Sequence, residues 1–185
     1  MKSRSAFFTI LLIVAAATGT ASARIRNVTD PDAPRSLPEQ GPVSVRWENP
    51  AQFSEIRNSH NPTESRRGNW VELLAIHLRE RAQKRLPAGQ RLQVDITNIE
   101  LAGDYEPWRG PRFYDTRFIR DIYPPRMSLT VKRTDANGNV IAEGERKLSD
   151  PGFLMGSTTA NSSDPLRFEK GLIDRWLVRE LPSPQ

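Results

Sequence analysis

The side chains best suited to chemistry gather in one stretch of this 185-residue chain, AGDYEPWRGPRFYDTRFIRDIYPP at residues 102–125. All the tyrosines are there (Tyr105, Tyr114 and Tyr123), with Trp108, Phe113 and Phe118. Arg109, Arg112, Arg117, Arg120 and Arg126 alternate with Asp104, Glu106, Asp115 and Asp121. Carboxylates can exchange protons with a substrate, and guanidiniums can grip an anion with two parallel hydrogen bonds. Aromatic residues and arginine are also the usual anchors of protein interfaces. The candidate binding surface is therefore Tyr105, Trp108, Arg109, Arg112, Tyr114, Asp115, Arg117, Arg120, Asp121 and Tyr123. Connections longer than about 15 residues are usually functional or disordered, and this one is too aromatic for disorder. Its balanced charges favour a structural use: the loop folds over an open sheet face or edge, its aromatics fill a satellite core, and Arg–Asp pairs tie it down.

Motifs for other chemistries are missing. The sequence holds no Gly-x-Ser-x-Gly elbow, no Ser-x-x-Lys pair, no cysteine and no phosphate-cradling Gly-Lys-Ser/Thr loop. His60 and His77 are the only histidines, and neither has a partner at metal-ligand spacing. His77 falls in an apolar stripe and reads as a hydrogen-bonded histidine at the edge of the core. Asp135-Ala136-Asn137-Gly138-Asn139 has the look of a calcium loop, but its glycine stands fourth instead of sixth, and a tight turn explains it. Asn27-Val28-Thr29 and Asn161-Ser162-Ser163 fit the glycosylation sequon. No catalytic residue, metal ligand or cofactor is expected. The alternative to a binding module is an enzyme that uses the loop carboxylates and arginines on an anionic substrate.

Which elements would hold this loop? PVSVRWE alternates Val43, Val45 and Trp47 with polar residues, as a half-buried strand does. A helix is predicted over 66–86, with Trp70, Leu73, Leu74, His77, Leu78 and Ala82 on one face and Pro87-Ala88-Gly89 as its stop. NPAQFSEIRNSHNPTESRRG, residues 49–68, reads as a loop rich in Asn, Ser and Pro that leads into this helix. RLQVDITNIEL is a second strand whose alternation changes phase near Thr97-Asn98, which predicts a bulge. RMSLTVKRT and NVIAEGERKL flank an Asn-Gly turn and form a hairpin. Asp164 caps and Pro165 opens a last helix, with Phe168, Leu172, Ile173, Trp176 and Leu177 inward and Pro182 at its end. The order strand-helix-strand-strand-strand-helix gives an α+β domain over 42–182. It would be a small mixed four-stranded sheet, its first two strands parallel, with both helices packed on one face.

The N-terminus reads as a signal peptide over 1–23. Lys2 and Arg4 precede the apolar run AFFTILLIVAAA, and Ala21-Ser22-Ala23 offers a cleavage site. Residues 24–41, with three prolines and little apolar periodicity, read as a disordered leader. The expected location is the periplasm or the medium, with no stable membrane anchor once the signal is removed. The absence of cysteine excludes a lipid-anchored lipoprotein and any disulfide. The formal charge of +5 is interleaved with carboxylates instead of forming a basic stripe, so nucleic acid is not an expected partner. A protein of the cell envelope is.

The blocks LPAGQRL, DIT with LAG and EPW, RFIRDIYPPR, LSD, and DPLRFEK with Trp176 resemble domain-of-unknown-function family 3016 over about Val43 to Leu181. The resemblance implies a small exported bacterial protein and supplies no activity, ligand or catalytic residue.

Overall fold

The computed structural model describes residues 27–155 and 162–181; the expected signal peptide, the sequon residue Asn161 and Pro182 lie outside them. Strands are β1 (Val43–Trp47), β2 (Arg91–Glu100), β3 (Asp104–Tyr105), β4 (Arg117–Phe118), β5 (Arg126–Thr134) and β6 (Val140–Ser149). Helices are α1 (Ser54–Arg57), α2 (Pro62–Ser65), α3 (Trp70–Gln83) and α4 (Arg167–Glu180). The main sheet runs β1-β2-β5-β6, with β1 and β2 parallel and the other pairs antiparallel. This is the mixed four-stranded α+β architecture that the periodicities predict.

Strand alternation sets the layers. Val43 and Val45, Leu92, Val94 and Ile96, and Met127, Leu129 and Val131 are all buried, while Ser44, Arg46 and Gln93 face water. Against the apolar face lie Leu74, Ala75 and Leu78 of α3 and Leu172, Ile173, Trp176 and Leu177 of α4. Burying each large aliphatic chain contributes about 1.5–3 kcal/mol, which lets the sandwich stand without disulfides. The β2 register shifts between Ile96 and Asn98, and the bulge turns Ile99 back into the core, fully buried. In the β5–β6 turn Asp135 Oδ1 accepts from the backbone of Asn137 and Asn139, both at 2.8 Å, and Gly138 takes φ 87°. His77 Nε2 lies 3.0 Å from Asp174 of α4, at the core edge.

Four expectations need correction. Residues 27–41 are not a disordered leader. Asn27 bridges to Arg67, and Ser36 bridges antiparallel to Arg46 along the free edge of β1, with Leu37 buried in the main core. Polar, proline-rich composition hid an edge-capping role that depends on backbone pairing. The 49–65 segment is also structured: Asn49 and Asn61 accept from Ala51 N and Glu64 N, Pro50 and Pro62 open the turns, and Phe53 and Ile56 enter the core. Helix α3 starts at Trp70 instead of residue 66, because Gly68 at φ 92° breaks the chain direction. On it Leu73 faces outward while Val71 and Ala75 are buried. Finally, α4 starts at Arg167: Asp164 Oδ1 accepts from Leu166 N at 2.8 Å in a turn ahead of the helix, and its Oδ2 takes Lys170 Nζ at 2.5 Å.

Candidate functional site

The 102–126 connection carries its own two-stranded sheet, β3 against β4, and two short 3₁₀ turns over Pro107–Arg109 and Pro111–Phe113. Its base is a clamp on three successive peptides. Leu101 N donates to Glu55 Oε2, Ala102 N to Glu169 Oε1 and Gly103 N to the Tyr123 carbonyl. The carbonyls of Leu101, Ala102 and Gly103 all accept from Arg117. Arg117 also forms a two-pronged pair with Glu55, at 2.7 and 2.9 Å. Burial alone would lower the Arg117 pKa, but the paired Glu55 charge and its hydrogen bonds outweigh this and hold it above the ordinary arginine value.

Glu106, almost fully buried, is the second anchor. Its carboxylate takes Arg109 Nε, Arg120 Nε at 3.2 Å and the Tyr123 hydroxyl at 3.4 Å. Burial and the nearby Glu106 charge raise the Tyr123 pKa. Asn61 ties the crest to α2, donating from Nδ2 to the Tyr114 carbonyl at 3.0 Å and to Asp115 Oδ1 at 3.4 Å. The loop is thus held by arginine pairs to Glu55 and Glu106, whereas the expected ties were Arg–Asp pairs. Asp121 only caps the N–H of Ile122.

The candidate residues divide into two groups. Tyr105 is buried beneath the Arg117 guanidinium, 5.4 Å from ring centre to Cζ, and burial pushes its hydroxyl pKa up. Tyr105 and Arg117 therefore belong to the scaffold and cannot serve as an outward surface. Arg109, Arg120 and Tyr123 are committed to Glu106, and Arg109 also lies over the Phe118 ring at 4.6 Å. Trp108, Arg112, Tyr114, Asp115 and Asp121 are exposed. Around them stand Phe113, Ile119 and Ile122, which sequence reasoning left out of the surface; Trp108 is 61% exposed, Tyr114 51% and Ile122 63%.

Sequence reasoning also passed over His60. Its Nδ1 lies 2.6 Å from Asp104 Oδ2, and its ring meets Trp108 edge to face at 5.1 Å. The two residues are 44 apart in the chain, and only the fold of the 49–65 segment joins them. An aspartate that accepts from Nδ1 fixes the tautomer and leaves Nε2 able to accept a proton. A second unanticipated feature is a cavity of about 540 Å³ beneath the 27–38 segment, lined by Val28, Pro34, Leu37, Trp47, Pro50 and Val71 among others. Its outer wall is the stretch expected to be disordered. Among the described residues no cluster of His, Asp and Glu could hold a metal ion, and no helix is long and apolar enough to cross a membrane.

Comparison with curated proteins and with solved structures finds no match. Residues 41–179 match the family model described as protein of unknown function (DUF3016), which spans the sheet, both long helices and the clamped loop, and the chain belongs to that family.

Proposed function

We propose that this protein is an exported, non-enzymatic binding module of the cell envelope whose recognition surface is the crest of the 104–122 loop, and that its partner is a protein. The observation that carries this reading is the two-sided loop. Arg117 and Glu106 pin its underside, while Trp108, Arg112, Phe113, Tyr114, Ile119 and Ile122 stand out on the other side. Holding large apolar chains in water is unfavourable unless something covers them. A rigid loop that displays them has already met the entropic cost of ordering, which favours tight association. Tryptophan, tyrosine and arginine are the residues that dominate such contacts.

Photocrosslinking side chains placed at positions 108 and 122 test the reading in the producing cell. The same single protein adduct should form from both, and none from position 93 on the open face of the sheet. Adducts from position 93 equal to those from the loop would remove the loop from recognition.

The His60–Asp104 pair favours a second reading, a proton-transfer enzyme in which Nε2 is the base and loop arginines hold an anionic substrate. Turnover of a phosphate ester or acidic glycan that His60→Gln abolishes would favour it. Turnover unchanged in His60→Gln would exclude the pair from chemistry.

A further inference from the structure

Helices α3 and α4 run side by side, and a small pocket of about 140 Å³ opens at their outer seam. Arg81, Arg85, Asp174, Arg175, Leu177 and Val178 line it. The charges there do not close. Arg81 Nε donates to Asp174 at 2.9 Å, and Arg175 is paired with Asp150. Both carboxylates within reach are thus occupied, Asp174 by His77 as well. Arg85 is left over. Its Nε is buried and has no hydrogen-bond partner, and no ion pair joins it to a described residue.

A buried guanidinium nitrogen without an acceptor carries a desolvation cost that a fold seldom leaves uncompensated. Arg85 also lines the pocket, which gives an anion room beside the rest of its guanidinium and an excess of positive charge. An anion would neutralise the one cation of the pocket lining that has no ion pair to a described residue, and would draw on Arg81 of α3, Arg85 just past the end of α3 and Arg175 of α4. A tetrahedral oxyanion suits this better than a carboxylate, since it offers acceptors in several directions.

We propose that this pocket is a phosphate-binding site with Arg85 as its principal ligand and Arg81 and Arg175 as flanking donors. The phosphate group comes either from a soluble phosphate or ester, or from the headgroup of an anionic lipid. The site lies on the α3–α4 seam and is independent of the reading given for the loop.

The purified protein is titrated with inorganic phosphate by calorimetry and, separately, with phosphatidylglycerol vesicles in a phosphatidylcholine background. The expected result is saturable binding of at least one probe, with a Kd for phosphate of about 1 mM or tighter. Arg85→Met should weaken it by roughly tenfold or more, as loss of a charge-assisted hydrogen bond does, and should leave the unfolding midpoint equal or higher. The exposed Arg57→Met, outside the pocket, should bind as the parent does. Phosphate binding alone assigns a soluble ligand, and vesicle binding without phosphate binding assigns a headgroup. Binding of neither probe overturns the proposal. So does binding that Arg85→Met leaves intact, or that Arg57→Met weakens equally.

Discussion

Glu169 is a carboxyl removed almost entirely from water. It sits in the first turn of α4, almost wholly buried, with Oε1 accepting from Ala102 N at 2.6 Å and Oε2 without a partner. Burial raises its pKa, opposed by the Ala102 hydrogen bond and the Arg117 charge. A carboxyl whose folded pKa exceeds its unfolded value binds protons more readily in the native state. Its contribution to stability is therefore most favourable below the unfolded value of about 4.3 and is lost as pH rises through the folded value. Glu169→Gln keeps an acceptor for Ala102 N and removes the buried charge. Thermal unfolding should give the variant a higher midpoint than the parent at pH 8, with the gain shrinking toward pH 4. A gain that is constant across that range would mean that Glu169 has the same pKa folded and unfolded, so that burial does not raise it. None of this was legible in the sequence, where Glu169 is one acid on an amphipathic helix. Its burial follows from the docking of α4 against the loop base, a contact between residues 67 apart.

Among the elements, periodicity was enough wherever a strand or helix presents one apolar face to one layer. It located β5 to the residue, the bulge in β2, the Asn-Gly hairpin and the buried stripe of α4. It failed where structure depends on capping and pairing instead of a stripe. The single-turn helices α1 and α2 and the two-residue strands β3 and β4 are too short to show any period. The loop's tight base has Gly103 at its centre, a residue to which sequence reasoning gave no structural role. Gly103 has φ 81°, and a Cβ there would sit 2.6 Å from the Phe118 carbonyl oxygen and equally close to Ile119 Cδ1. Gly110 also has positive φ, 103°, but its Cβ would meet nothing. Gly103→Ala should therefore cost backbone strain of about 1–2 kcal/mol plus a clash, for a fall in midpoint of at least about 4–8 °C. Gly110→Ala should cost the strain alone. Equal losses in the two variants would show that β3 and β4 yield easily and that the base of the loop is not the fixed point described above.

Taken whole, the molecule is a two-layer sandwich whose long connection is built into it from below and left bare above. The opposite arrangement, in which aromatics filled a satellite core, is realised only in part. Tyr105 is inside, and Phe113 and Phe118 pack edge to face at 6.0 Å, but the rest of the crest stays out. Composition could not separate these cases, because Arg117 and Arg112 are the same residue type on the same loop. Only the positions of Glu55 and Glu106 tell them apart. The sheet's β1 edge is closed by a segment whose proline content suggested disorder, and that segment also roofs the cavity of about 540 Å³. Both facts belong to tertiary pairing and leave no local signature.

The division of the loop into scaffold and surface is tested most directly by thermal unfolding of Arg117→Ala beside the triple variant Arg112→Ala/Tyr114→Ala/Ile122→Ala. Removing Arg117 strands the buried Glu55 carboxylate and three carbonyls, and breaking a buried pair in this way costs about 3–5 kcal/mol. At about 2–4 °C per kcal/mol for a domain of this size, the midpoint should fall by roughly 10 °C. The triple variant changes only exposed side chains and should stay within about 0.5 kcal/mol per site. A triple variant that melts as early as Arg117→Ala would contradict the account, because the crest would then be part of what holds the fold together.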